Sequence, residues 1–88
     1  MPVISIFFGI VIRMYHREHG PHFHASYQGF EALVVIADGS VFAGSLPRKA
    51  LRLVQEWAAA HREELEANWQ KGVDLLPMDM IAGADLDD

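Results

Sequence analysis

The spacing of the apolar residues changes at Pro47, and this change constrains the fold more than any other feature of the 88-residue chain. Before Pro47, apolar and polar residues alternate in short runs, which is typical of β-strands. After Pro47, apolar residues recur at steps of three and four, which is typical of helices. Strands followed by helix predict an α+β fold: an antiparallel sheet of about five short strands, with one long or two short C-terminal helices packed on one face.

Turn residues separate the expected strands. Gly9 marks the first reversal, residues 28–29 (Gln-Gly) permit a second, and residues 38–39 (Asp-Gly) are the strongest hairpin signal in the chain. The strands are expected at residues 3–8, 10–16, 22–27, 30–36 and 41–45.

The helical stripe covers residues 47–71. At about 1.5 Å per residue a single helix would be roughly 37 Å long, which is long for so small a sheet, so a break near Ala60–His61 is the alternative. Gly72 is the expected residue just beyond the helix. We therefore predict a single α+β domain over residues 1–73 and an acidic, partly disordered tail over residues 74–88, whose apolar first half can dock.

The net charge of −5 belongs to the tail. Residues 74–88 contain five aspartates and no basic residue, whereas the rest of the chain is balanced, so the total charge does not argue against nucleic-acid binding. The absence of cysteine excludes disulfides and thiolate metal sites. The apolar N-terminus reaches Arg13 well before the roughly 20 residues that a membrane span requires, so we expect a cytoplasmic protein without membrane association.

Histidines crowd one short stretch of the chain, where His19, His22 and His24 lie close together in the sequence. In a strand over 22–27, His22 and His24 point to the same face, and Arg13 of the preceding strand points that way too. Glu31 joins this face if the turn at residues 28–29 contains only two residues. We call Arg13, His22, His24 and Glu31 the histidine face.

Acid/base chemistry is one interpretation of the histidine face. His22 or His24 would transfer protons, Glu31 would orient the ring, and Arg13 would stabilise a developing negative charge. Such a set suits RNA cleavage, in which the 2′-hydroxyl is the nucleophile. It suits the binding of a phosphate or a carboxylate equally well.

Metal binding is a second interpretation. A His-x-His pair places two imidazoles on one side of a strand, about 7 Å apart at the backbone. His22 and His24 would then hold a divalent metal such as zinc together with His19, or with Glu31 or His16. A third interpretation is a solvated polar sheet face that performs no chemistry, as antiparallel sheets commonly have.

Three segments resemble a small bacterial family, the domain of unknown function 4160. They are PHFHA (21–25), EA (31–32) and HREELEANW (61–69), and the resemblance covers most of residues 1–72. It implies that His22, His24 and Glu31 are functional residues, because they match the motif, but it implies no particular reaction. Leu33 stands where many members of the family have lysine.

Members of this family are similar in size to the toxins of two-gene toxin–antitoxin modules. Members are similar to these toxins in operon habit too, so the resemblance implies a toxin-like component with a small protein partner encoded nearby. Action on RNA is the hypothesis that the side chains of the histidine face add. The alternative is a non-enzymatic interaction module whose histidine face or acidic tail docks a partner. A homodimer through an exposed strand edge, at residues 3–8 or 41–45, is a further expectation.

Overall fold

A five-stranded antiparallel sheet forms the first half of the chain in the computed structural model, which describes residues 2–14 and 20–86. Each strand pairs with the next one along the chain, and two helices follow, so the predicted α+β fold is confirmed. The strands are Val3–Phe7 (β1), Ile10–Arg13 (β2), His22–Tyr27 (β3), Phe30–Val35 (β4) and Val41–Ser45 (β5); the helices are Arg48–Ala60 (α1) and Arg62–Val73 (α2), and a short 3-10 helix covers Ala84–Leu86. The last residues of the predicted second strand, 15–16, lie outside the described residues.

Two-residue turns close the β1–β2 and β3–β4 hairpins. The φ angles are 52° and 78° at residues 8–9 and 47° and 86° at residues 28–29. Two successive left-handed residues are typical of a type I′ turn, whose twist matches that of the flanking strands. The turn at 28–29 fixes the register, which places Ser26 opposite Glu31. Glu31 therefore lies on the same face of the sheet as Ser26.

The β4–β5 reversal is longer than two residues. The Val35 amide donates to the Ser40 carbonyl oxygen over 2.8 Å, which leaves residues 36–39 as the loop. Within it, the Asp38 carboxylate accepts a hydrogen bond from the Ser40 amide over 2.9 Å. This bond favours the charged carboxylate and lowers the pKa of Asp38. The Asp-Gly signal located the reversal but did not give its length.

One face of the sheet packs against the helices and forms the core. The buried apolar residues of the central strands and helices include Ile10, Ile12, Met14, Phe23, Ala25, Ala32, Val34, Val54, Trp57 and Leu65. The Trp57 ring lies 5.0 Å from the Phe7 ring and 5.9 Å from the Phe23 ring, between centroids. In β2 and β3, the residues that face this core alternate with those of the histidine face.

The helical half of the chain breaks at His61, where the two-helix alternative placed the break. His61 has a φ of −116° and separates α1 from α2. Its ring lies 5.5 Å from the Trp57 ring, and its Nδ1 lies 2.5 Å from Oε1 of Glu64. Within the described residues, neither helix is long and apolar enough to cross a membrane.

The C-terminal segment returns to β1 after α2. The Ile81 amide donates to the Ile4 carbonyl oxygen over 2.7 Å, and the Ile81 side chain is buried. The Phe8 amide donates to an Asp85 carboxylate oxygen over 3.0 Å. We call residues 79–86 the C-terminal strap. The predicted boundary at residue 73 stays a prediction, and residues 87–88 at the end of the tail lie outside the described residues.

Helix α2 ends at Val73, so the expectation that Gly72 lies just beyond the helix is wrong. The Leu76 amide donates to the Lys71 carbonyl oxygen over 2.8 Å, and the Leu75 amide donates to that of Gly72 over 3.1 Å. This pair of bonds forms a Schellman motif, which places Leu75 in the left-handed position that glycine usually takes. The φ of Leu75 is 58°.

We expect Leu75→Gly to raise the free energy of unfolding by about 0.5–1 kcal/mol, because glycine adopts a left-handed conformation without the steric penalty of a side chain. The side chain that is lost is 92% exposed and contributes little packing. Urea denaturation measures the change. Leu76→Gly is the matched control, because Leu76 is also exposed but has no positive φ, and it should not stabilise the fold. Equal effects of the two substitutions would contradict the prediction.

Candidate functional site: the histidine face

Strand β3 carries both histidines of the site and lies between the two strands that carry its other residues. The β2–β3 register places Arg13 opposite His24. The β3–β4 register places Glu31 opposite Ser26, which is one diagonal step from His24. Neighbouring positions on one face of paired strands are close enough for long side chains to meet. The four predicted residues therefore occupy adjacent positions on three consecutive strands.

His24 and Glu31 form the central contact of the site. Nδ1 of His24 lies 3.1 Å from Oε2 of Glu31, and the two side chains are 13% and 59% exposed. Because a carboxylate only accepts hydrogen bonds, Nδ1 must carry the proton, and Nε2 is the accepting atom of the neutral ring. The contact thus orients the imidazole and assigns a proton acceptor to its other edge.

His22 is buried, which differs from the solvated face that the sequence led us to expect. Its exposure is 3%, and its Nδ1 donates to the Gly20 carbonyl oxygen over 2.8 Å. The His22 ring lies 5.4 Å from each of the rings of His24, Phe42 and Trp69. Aromatic side chains from β5 and α2 therefore cover the start of β3, and the exposed part of the site is centred on His24 and Glu31.

Sequence reasoning missed the residues that cover His22. Phe42 lies in the predicted strand 41–45 and Trp69 on the predicted helical stripe 47–71, and neither position predicts a contact with His22. The Phe42 ring meets the His22 ring edge-on, with an interplanar angle of 85°. No local signal in the sequence identifies this cover, because Phe42 and Trp69 reach His22 only through the packing of β5 and α2.

A second His–Glu contact occurs elsewhere in the molecule, between His61 and Glu64. It joins residues three apart at the start of α2, and its imidazole is 24% exposed. A histidine beside a carboxylate is therefore not sufficient to mark a site. His24 differs because Arg13 and His22 occupy adjacent positions, and His61 provides a matched control for experiments on His24.

The metal interpretation is not decided by these contacts. Over residues 2–14 and 20–86, no group of three or more histidine and acidic side chains is placed to hold a metal ion. His19 lies outside the described residues, as does His16. A zinc site formed by His19, His22 and His24 therefore stays a prediction.

Comparison with known proteins places the chain in a family. No curated protein and no solved structure matches it. The sequence model described as Domain of unknown function (DUF4160) matches residues 9–70, which is more than half of the chain. The match includes all four residues of the histidine face and ends before the C-terminal strap. The chain belongs to the DUF4160 family.

Proposed function

We propose that the protein binds RNA on the histidine face and cleaves it by acid/base catalysis, with His24 as the proton-transferring residue. The observation that carries the proposal is the contact of 3.1 Å between His24 Nδ1 and Glu31 Oε2. A carboxylate on one nitrogen of an imidazole fixes the ring, so that the other nitrogen can take a proton from a hydroxyl group. The His24 side chain is 13% exposed and is therefore not sealed from solvent.

Arg13 provides the positive charge that a phosphodiester requires. It lies directly opposite His24 on β2, and directly opposite Cβ atoms are about 4.5–5.5 Å apart in an antiparallel pair. A guanidinium group can donate two parallel hydrogen bonds to phosphate oxygens. His22 packs against the His24 ring from within the protein and acts as a positioning residue.

The reaction is an internal transfer of the phosphoryl group. Nε2 of His24 takes the proton of the 2′-hydroxyl, and the 2′-oxygen forms a bond to phosphorus. The bond from phosphorus to the 5′-oxygen breaks, and solvent supplies a proton to that oxygen. Arg13 neutralises the charge on the non-bridging oxygens. The products are a 2′,3′-cyclic phosphate and a free 5′-hydroxyl.

The biological setting follows from the resemblance in size to the toxins of two-gene modules. In that setting the protein acts in the cytoplasm, and a small protein encoded nearby holds it inactive. The partner would cover the exposed edge of His24 or the Arg13 side chain, because access to these groups is what the chemistry requires.

The test is cleavage of a labelled RNA oligonucleotide pool by the purified chain. We expect His24→Ala to lower the rate by about 10²–10⁴, the usual contribution of one acid/base group. His61→Ala removes a histidine with a similar carboxylate contact and should leave the rate unchanged. Oligonucleotides with 2′-deoxyribose throughout should resist cleavage. No cleavage by the parent chain with enzyme in excess, or equal rates for parent and His24→Ala, would overturn the proposal.

A non-enzymatic interaction module is the second candidate, and the exposure of large apolar side chains favours it. Phe8 and Phe30, at the tips of the β1–β2 and β3–β4 hairpins, are 50% and 46% exposed. Both tips lie at the same end of the sheet, next to Tyr27. If the nearby-encoded partner binds there, Phe8→Ser and Phe30→Ser weaken its binding while His24→Ala does not.

A further inference from the structure

The C-terminal strap is held by contacts that do not depend on its being part of the same chain. The Asn68 side chain donates to the Asp79 carbonyl oxygen and accepts from the Asp79 amide, each over 2.8 Å. Trp57 Nε1 donates to the Ala82 carbonyl oxygen over 2.9 Å. These bonds join side chains of the helices to the backbone of the strap. Any copy of the same segment could make them.

The strap fits its groove closely. A Cβ atom at Gly83 would lie 2.7 Å from the Ile6 carbonyl oxygen and 2.8 Å from the Phe7 Cβ, so the strap backbone lies directly against β1. Ile81 fills the core from the same segment and is 4% exposed. A buried isoleucine and a glycine two residues later make the groove selective for this sequence. The segment that fits this groove best is the strap itself, from this chain or from a second copy.

The segment that connects α2 to the strap is unfavourable in its present conformation. Leu75 is left-handed with a φ of 58°, which costs a residue with a side chain more than it costs glycine. Leu75 is 92% exposed and Leu76 is 54% exposed, so two large apolar side chains face water at the hinge. An extended hinge would release Leu75 from the left-handed region. Two such hinges side by side would bury the leucines against each other.

We infer that the protein forms a domain-swapped dimer, in which the strap of each chain occupies the groove of the other. The hinge is the segment 74–78, and every contact between strap and body is kept in the exchanged form. The edge of β1 stays covered in both forms, which prevents unspecific strand pairing. The dimer gains contacts between the hinges and loses the left-handed residue. This inference is independent of the proposed RNA cleavage.

Engineered disulfides test whether the strap is exchanged. The chain has no cysteine, and the Phe8 amide lies 3.0 Å from the Asp85 carboxylate, so the double variant Phe8→Cys/Asp85→Cys links strap to body. After oxidation at increasing protein concentration, we expect non-reducing gels to show a growing fraction of covalent dimer that reduction converts to monomer. Asp38→Cys/Asp85→Cys measures accidental crosslinking, because Asp38 lies in the β4–β5 loop, at the opposite end of the sheet from Phe8.

Light scattering on the full chain gives the second measurement. We expect Leu75→Gly, which accepts a left-handed conformation and removes the hinge side chain, to weaken dimerisation by about tenfold for each hinge. This variant should fold at least as well as the parent, so loss of the dimer cannot be attributed to unfolding. Covalent links found only within single chains at every concentration would overturn the inference, even if light scattering detected a dimer of another kind.

Discussion

The Gly44→Ala variant is expected to lose about 3–5 kcal/mol of its free energy of unfolding. Gly44 lies in β5 with a φ of 74°, in the region that residues with a side chain avoid. A Cβ atom there would lie 2.1 Å from the Glu31 carbonyl oxygen, which is a backbone atom that no rotamer change can move. The pairing of β4 with β5 must therefore open. Chemical denaturation measures the loss.

Gly29→Ala is the matched control for this prediction. Its φ of 86° is as unfavourable for alanine as that of Gly44, but no atom lies within 4 Å of the added Cβ. We expect it to lose only about 1 kcal/mol, the cost of the left-handed conformation. The difference between the two variants isolates the clash with β4. Equal losses would show that β5 moves away from β4 at little cost.

The consequence of Gly44→Ala for the site follows from the register. Glu31 pairs with Ser45 of β5, and Gly44 pairs with Ala32. Opening this edge moves the backbone of Glu31 and thereby the carboxylate that orients His24. If the variant still folds in mild conditions, the proposed function predicts that it cleaves RNA more slowly than Gly29→Ala.

The fold was predictable where local signals were sufficient. The bounds of β3 match the prediction, because Pro21 precedes an alternating run and the Gln28-Gly29 turn ends it. The two-residue turn then fixed Glu31 relative to β3 without any tertiary information. The end of α2 was not predictable in this way. The helix continues through Gly72 to Val73, and Leu75 takes the capping conformation in a chain whose next segment is held on β1.

The sequence predicts which face of β3 carries the candidate site, but not how deeply its residues are buried. Alternation places His22 and His24 on the same side of β3, and it carries no information about what covers that side. The cover of His22 comes from Phe42 and Trp69, which are distant in the sequence and meet only after β5 and α2 have packed. The contact between His24 and Glu31 required only one register and was within reach of the sequence.

The Asn68→Ala variant is expected to lose about 1–3 kcal/mol of its free energy of unfolding and to release the strap. Asn68 is 2% exposed, and its amide satisfies both the amide and the carbonyl of Asp79. Alanine removes both bonds to the Asp79 backbone, and each hydrogen bond contributes about 0.5–1.5 kcal/mol of net stability. The loss should appear in urea denaturation and as faster proteolysis between α2 and the strap.

Gln70→Ala is the control for Asn68→Ala. Gln70 lies in the same helix, is exposed, and makes only long contacts of 3.3 and 3.4 Å to the Asp74 carboxylate. We expect a change within about 0.5 kcal/mol, as is usual for surface positions. If both variants lose the same stability, the loss caused by Asn68→Ala does not arise from the strap, because alanine is the better helix former at both positions.

Asn68→Asp separates the two halves of the Asn68 contact. The introduced carboxylate can still accept the bond from the Asp79 amide, but at neutral pH it has no proton to donate to the Asp79 carbonyl oxygen. Burial next to that oxygen favours the neutral form and raises the pKa of the introduced carboxyl above its unfolded value. Protonation restores the donor, so the stability deficit relative to the parent should be largest above the raised pKa and should shrink as the pH falls through it. No deficit at any pH would mean that the acceptor half alone holds the strap, and a deficit that is the same at every pH would mean that the deficit does not arise from the lost bond to the Asp79 carbonyl oxygen.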